Sequence, residues 1–162
     1  MERLLDYLWV FFISMVPIVE LRGAIPVGTA MDLNPVLTYI VCIIGNMLPV
    51  PIIYLFARKV LEWGKDKKFI GKFFTFCLVK GENGGKKLEA KAKGGGIFVA
   101  LMLFVAIPIP GTGAWTGTLA ASLMNFGFKR STLAVLLGVL IAGIIMALAS
   151  QGVFGALNFL FE

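Results

Sequence analysis

Apolar residues run through this chain in long unbroken blocks, not in the narrow stripe of a soluble amphipathic helix. Val36 to Ala57 carries no charge for 22 positions. As a helix rising about 1.5 Å per residue it reaches about 33 Å against a hydrocarbon core of about 30 Å, so a spanning helix is predicted there. Gly45, Asn46, Pro49 and Pro51 lie inside it. The prolines remove backbone donors, so a kink is expected near mid-depth, where a neighbour or water must satisfy the freed carbonyls. Asn46 would sit near the bilayer centre, either bonded across to another helix or as part of a site.

The other apolar blocks do not fit simple spans. Ile97 to Phe128 is uncharged for 32 residues, too long for one straight helix and too short for two with a turn. Its middle reads Pro108-Ile109-Pro110-Gly111-Thr112-Gly113, which must break a helix. A re-entrant hairpin fits, entering over Ile97 to Ile107 and returning over Ala114 to Asn125. Broken backbone at that depth survives only where protein or a watery cavity covers it. Gly117, Ala120, Ala121 and Ser122 make the returning arm suitable for close packing.

The chain begins in the same manner. Leu4 to Val19 is apolar apart from Asp6 and breaks at Pro17; then come Glu20-Leu21-Arg22-Gly23-Ala24-Ile25-Pro26 and a short apolar piece to Leu33. A cleaved signal peptide is the competing reading, with Gly28 and Ala30 at small positions, but the acidic start and the charges at Glu20 and Arg22 oppose it. The last block, Ser131 to Phe161, has 31 uncharged residues. A span ending near Ser150-Gln151-Gly152 is predicted, with Phe154, Phe159 and Phe161 at the interface.

Shifting the sequence by 91 places Pro17 on Pro108, Ala30 on Ala121 and Asn34 on Asn125, and two further positions place Gly45 on Gly138. Both halves share an order: apolar arm, proline break, small-residue arm, long apolar helix. Arg58 and Lys59 put the end of the first span inside, and Lys129 and Arg130 put the ends of the second hairpin inside. The halves are then inverted copies whose broken tips meet at the midplane, as in secondary transporters. The fold class expected is an all-α integral membrane protein of two inverted repeats, each a re-entrant hairpin followed by a spanning helix. Residues 1–57 form the first repeat, 58–96 a basic cytoplasmic segment and 97–162 the second repeat, in a single membrane domain.

Composition agrees: 59% of the 162 residues are hydrophobic and 15% charged, against roughly 45 to 50% apolar and roughly 25% charged in soluble domains. Of the 15 Lys and Arg, 11 fall between Arg58 and Lys93. Flanked by apolar blocks, they suit a cytoplasmic loop on anionic lipid and not a nucleic-acid site. Phe69, Ile70, Phe73, Phe74 and Cys77 recur at helical spacing beside Lys67, Lys68, Lys72 and Lys80, the pattern of an interfacial helix whose Lys67, Lys68 and Lys72 contact lipid headgroups. Cys42 and Cys77 read as free thiols. The chain has no His, which excludes His-based triads and the common zinc sites, and no cofactor or metal is expected.

Charges at mid-bilayer are rarely kept without a partner or a task. Glu20 and Arg22, two residues apart, would point to different faces of a helix; flanked by Pro17, Gly23 and Pro26, they are expected in an unwound segment. They read either as an ion pair fixing the tip or as a site, with Arg22 holding an anionic group and Glu20 exchanging protons. Across the midplane Thr112 and Thr116 offer hydroxyls, Gly111 and Gly113 open backbone, and Trp115 a ring for stacking or packing. With Pro26, Asn46, Pro108 and Pro110 these residues make up the candidate substrate and proton site.

The run Val19-Glu20-Leu21-Arg22-Gly23-Ala24-Ile25-Pro26, then Asn34-Pro35 and Pro108-Ile109-Pro110-Gly111-Thr112-Gly113-Ala114-Trp115, resembles the small multidrug export protein family over nearly the whole chain. That family is distantly similar to the DedA group, which implies two opposed re-entrant hairpins and movement of polyprenyl-phosphate or other phospholipids, coupled to protons. The resulting expectation is a non-enzymatic inner-membrane transporter, its substrate an anionic lipid or small amphipathic molecule. A homodimer would cover polar backbone left facing lipid. The alternative is a membrane-organising protein working through its basic interfacial helix.

Overall fold

The computed structural model describes residues 2–67, 71, 72, 75, 76, 79, 95–109 and 112–161, with backbone alone at Glu2 and 154–161. Phe69, Ile70, Phe73, Phe74, Cys77, Lys68 and Lys80, named above for the interfacial helix, and Pro110 and Gly111 lie outside them. The described residues form helices: α1 Glu2–Met15, α2 Glu20–Ala30, α3 Pro35–Met47, α4 Pro49–Gly64, α5 Gly96–Ala106, α6 Ala114–Leu123 and α7 Phe128–Phe161. The arms expected from the apolar blocks match α1, α5 and α6 to within a few residues, whereas α2 starts at Glu20, inside the stretch expected to be unwound.

Local chemistry sets most boundaries. Asn34 starts α3: its side-chain oxygen accepts from Val36 N at 3.0 Å and Leu37 N at 3.2 Å, and Pro35 fills the first helical position. Leu48 separates α3 from α4 while keeping helical angles (φ −61°, ψ −40°). The prolines therefore interrupt the hydrogen-bond ladder without ending the rod, and Pro35–Gly64 is one apolar span of 30 residues. The second span, Phe128–Val153, has 26 residues. The span expected to end near Ser150 to Gly152 ends at Val153, while the α7 helix itself runs on to Phe161. One glycine costs a helix about 1 kcal/mol, and without a proline the ladder survives it.

Both spans carry apolar surface that protein does not cover. Only 28% of the most apolar window of the first is buried, and 33% of the second. Trp9, Ile40, Ile44, Ile52, Phe56 and Leu148 all point outward. A soluble core helix would be wrapped; these have the surface of helices facing lipid.

Inside, α7 packs on α2, α3, α5 and α6, while α4 packs on α6. Val10, Leu21, Ile25, Cys42, Val105, Val135 and Val139 form the middle of the core. Two glycines permit the closest approaches. A Cβ on Gly45 would come within 2.7 Å of the Phe11 carbonyl oxygen, and one on Gly138 within 2.6 Å of the Met102 carbonyl oxygen. Gly45 and Gly138 were paired by the sequence shift, and Phe11 and Met102 stand 91 residues apart. The same step of packing therefore recurs in both halves.

The ends of α2 and α6 recur as well. Asp32 (φ +52°) and Asn125 (φ +61°) turn left-handed. After them Leu33 N donates to Gly28 O at 3.0 Å and Phe126 N to Ala121 O at 3.0 Å. Asp32 N reaches Thr29 O at 3.1 Å and Asn125 N reaches Ser122 O at 3.2 Å, which completes the same Schellman cap twice. Leu33 and Phe126 are buried beneath these caps. The pairs of arms differ in closeness: α1 packs along α2, whereas α5 and α6 touch far less.

Candidate functional site

Two breaks face each other in the core. The first, between α1 and α2, spans Val16 to Val19, with Ile18 left-handed (φ +76°). The second, between α5 and α6, spans Ile107 to Gly113. Glu20 and Arg22 do not lie in an unwound segment as expected; they open α2, Glu20 as its first residue with φ +52°. Pro17 ends α1 early enough for α2 to restart at Glu20, whose amide donates to Val16 O at 3.0 Å.

From α2 the two charges reach the second break, Arg22 at carbonyls along it and Glu20 at the amides that open α6. Arg22 Nη1 donates to Ile109 O at 2.6 Å and to Thr112 O, and Nη2 donates to Ile107 O at 3.0 Å and Val105 O at 3.1 Å. The four terminal N–H groups of its fork thus serve one carbonyl at the end of α5 and three within the break. Glu20 accepts from the amides that open α6, Ala114 N at 3.2 Å and Trp115 N at 3.0 Å. Each charge also sits at the helix end whose dipole it complements, cation at the C-terminus and anion at the N-terminus. Among the described residues no salt bridge joins Glu20 to Arg22. Their charges are instead bound into the opposite hairpin.

The bracing is reciprocal, because Trp115 Nε1 donates to Met15 O, the last carbonyl of α1, at 3.2 Å. Gly113 makes the Glu20 contact possible. Its φ of +146° lies outside the range of other L residues, and a Cβ there would fall on the Glu20 carboxylate, 2.7 Å from Oε1. Thr112 Oγ1 turns inward to Ile107 O and Ile109 O, both at 2.8 Å, and tightens the loop.

Beside this junction lies a cavity of about 310 Å³, lined by Pro17, Glu20, Ile53, Trp115, Thr116 and Leu119 among others. Glu20 is its one charged group, and the Thr112 and Thr116 hydroxyls donate to nearby backbone carbonyls. A carboxylate holds about four lone-pair sites, and two amides occupy two of them. Of the residues singled out from sequence, the cavity brings together Glu20, Thr112, Trp115 and Thr116. Pro26 lies within α2, and Pro108 and Gly113 belong to the break. Asn46 is 1% exposed and does not line the cavity; its carboxamide has no partner among the described residues, so the cross-helix bond expected for it is not made. Ile53 and Leu119 went unnoticed in the sequence because they look like any lipid-facing residue.

At the far end of α4, Lys67 Nζ lies 4.5 Å from the centre of the Trp63 ring, and Lys72 is exposed.

The fold and the site define a small all-helical membrane protein whose charged residues stitch two helix breaks together. A family model described as "Putative small multi-drug export protein" matches residues 20–145, and the chain belongs to that family. The match begins at Glu20 and takes in both arms of the second hairpin. Comparisons with curated proteins and with solved structures return no match.

Proposed function

We propose that this protein exports a small amphipathic molecule across a membrane, and that the substrate binds in the cavity beside Glu20. One observation carries the reading: Glu20, whose carboxylate caps α6, is the single charged residue among those lining an apolar cavity at the meeting point of two helix breaks. Such discontinuous helices are where transporters concentrate binding energy. A cavity of about 310 Å³ is at the small end of ligand sites, of roughly 300 to 1,000 Å³.

Of the two substrate classes the sequence left open, the small amphipathic one is favoured over the anionic lipid. Arg22, the group that would hold a phosphate, has its fork engaged by backbone carbonyls. Glu20 and the Trp115 ring suit a molecule with a positive end and an apolar body. Glu20 would hold the cation and a proton in turn, the proton arriving from outside as the cation leaves, which couples export to proton entry.

In this reading the two hairpins enter from opposite leaflets as inverted copies. The repeated cap at Asp32 and Asn125 and the repeated approach at Gly45 and Gly138 support it. Residues 58–96 are cytoplasmic, with Lys67, Lys68 and Lys72 at the headgroups and Lys67 over the Trp63 ring.

The test is uptake of a lipophilic cation, tetraphenylphosphonium, into proteoliposomes under an imposed pH gradient. The native protein moves it, and Glu20→Gln stops movement while helicity is kept. Equal uptake by native and Glu20→Gln protein would remove the site from the mechanism. Movement of a labelled anionic lipid without the cation would return the choice to the other substrate class.

A further inference from the structure

The sparse contact between α5 and α6 leaves a cleft between the arms of the second hairpin. Its volume is about 180 Å³, and Ile97, Ala100, Leu101, Phe104, Ala120 and Met124 line it, without a polar side chain. A second hollow of about 430 Å³ is formed by Phe126, Gly127, Phe128, Lys129 and Arg130. The two adjoin in the chain, since Met124 closes the cleft two residues before Phe126 opens the hollow. Met124 ends α6 and Ile97 begins α5, so both stand at the hairpin's open end, away from the break. From there its lining follows α5 past Ala100 and Leu101 to Phe104. Lys129 and Arg130 are exposed, and among the described residues neither has a salt-bridge partner.

An apolar slot with two cations at its mouth has the polarity profile of one phospholipid. We infer that the second hairpin holds an anionic phospholipid, one acyl chain lying between α5 and α6 and its phosphate meeting Lys129 and Arg130. The slot has no polar side chain to take a headgroup, and the mouth lies where a positive residue pair would meet the membrane surface. The first hairpin has no equivalent, because α1 packs closely along α2 and the residues that follow its second arm, Asp32 and Asn34, carry no positive charge. The lipid would fill what α5 and α6 leave between them and hold the arms apart. This site is separate from the cavity beside Glu20 and does not depend on the export reading.

Native mass spectrometry tests it on the full chain released from micelles containing equal phosphatidylglycerol and phosphatidylcholine. The expected result is one phosphatidylglycerol retained per chain, undisturbed by added inorganic phosphate. Lys129→Gln with Arg130→Gln lowers retention about 30-fold, the scale of two basic residues at an anionic surface. Ala100→Phe, which fills the slot from its exposed lip, lowers retention with both cations in place. Arg3→Gln, a distant loss of the same charge, leaves it unchanged. If the double variant loses helicity, Lys129→Arg with Arg130→Lys, which keeps both charges and the retained lipid, and Ala100→Phe decide the matter. Equal retention of phosphatidylcholine, displacement by phosphate alone, or full retention by Ala100→Phe would each overturn the inference.

Discussion

Arg22 Nη2 donates to the carbonyl oxygen of Val105 at 3.1 Å across 83 residues of sequence. That single bond ties the start of α2 to the end of α5, and Glu20 ties the same turn of α2 to the start of α6. The first hairpin therefore supplies the polar partners that the second hairpin's backbone lost at its break. A buried peptide group without a partner costs about 1 to 3 kcal/mol, so the charges and the break stabilise each other.

Arg22→Ala should lower stability by roughly 3 to 5 kcal/mol, the range seen when one member of a buried charged network is removed. Arg22→Lys should recover less than half, because a compact ammonium cannot serve carbonyls spread around a planar fork. Reversible unfolding in mixed detergent and dodecyl sulfate measures both. A near-neutral Arg22→Ala would mean that the α5 carbonyls find other partners.

Gly113→Ala tests the approach of Glu20. Strain at a φ of +146° costs about 1 to 3 kcal/mol, and the added methyl pushes the carboxylate off the Ala114 and Trp115 amides. The variant should lose at least about 2 kcal/mol of stability, and cation uptake with it. Normal uptake with lowered stability would separate the cap from the binding role of Glu20.

Asp32 and Asn125 occupy left-handed cap positions that glycine fills without strain. Asp32→Gly and Asn125→Gly should each stabilise the protein by about 0.5 to 1 kcal/mol, with the larger gain at Asp32, since Asn tolerates this conformation better. Thermal unfolding followed by circular dichroism reads the difference. Destabilisation at either position would show that its side chain does more than close a turn.

Trp115→Phe removes the indole bond to Met15 O and keeps the ring on the cavity wall. A loss of about 1 kcal/mol is expected, the worth of one hydrogen bond, with uptake largely preserved. Loss of uptake at full stability would assign the indole N–H to the substrate.

Much of this was legible in the chain itself. Absence of charge over tens of residues requires lipid or burial, proline ends or kinks a helix wherever it stands, and Asn34 before Pro35 starts one. These are local effects, so they placed α1, the α3–α4 span, α5, α6 and the start of α7, whereas the first break, expected to run on to Pro26, ends before Glu20. What stayed hidden depends on which backbone arrives next to which side chain. Glu20 and Arg22, two residues apart and opposite in sign, invited an ion pair, yet folding put the carbonyls of the second break and the freed amides of α6 within their reach. A charge in hydrocarbon binds whichever polar group is nearest, and only the docking of the two hairpins decides that. The cavity was equally out of reach, because Ile53 and Leu119 line it with the same chemistry that elsewhere faces lipid.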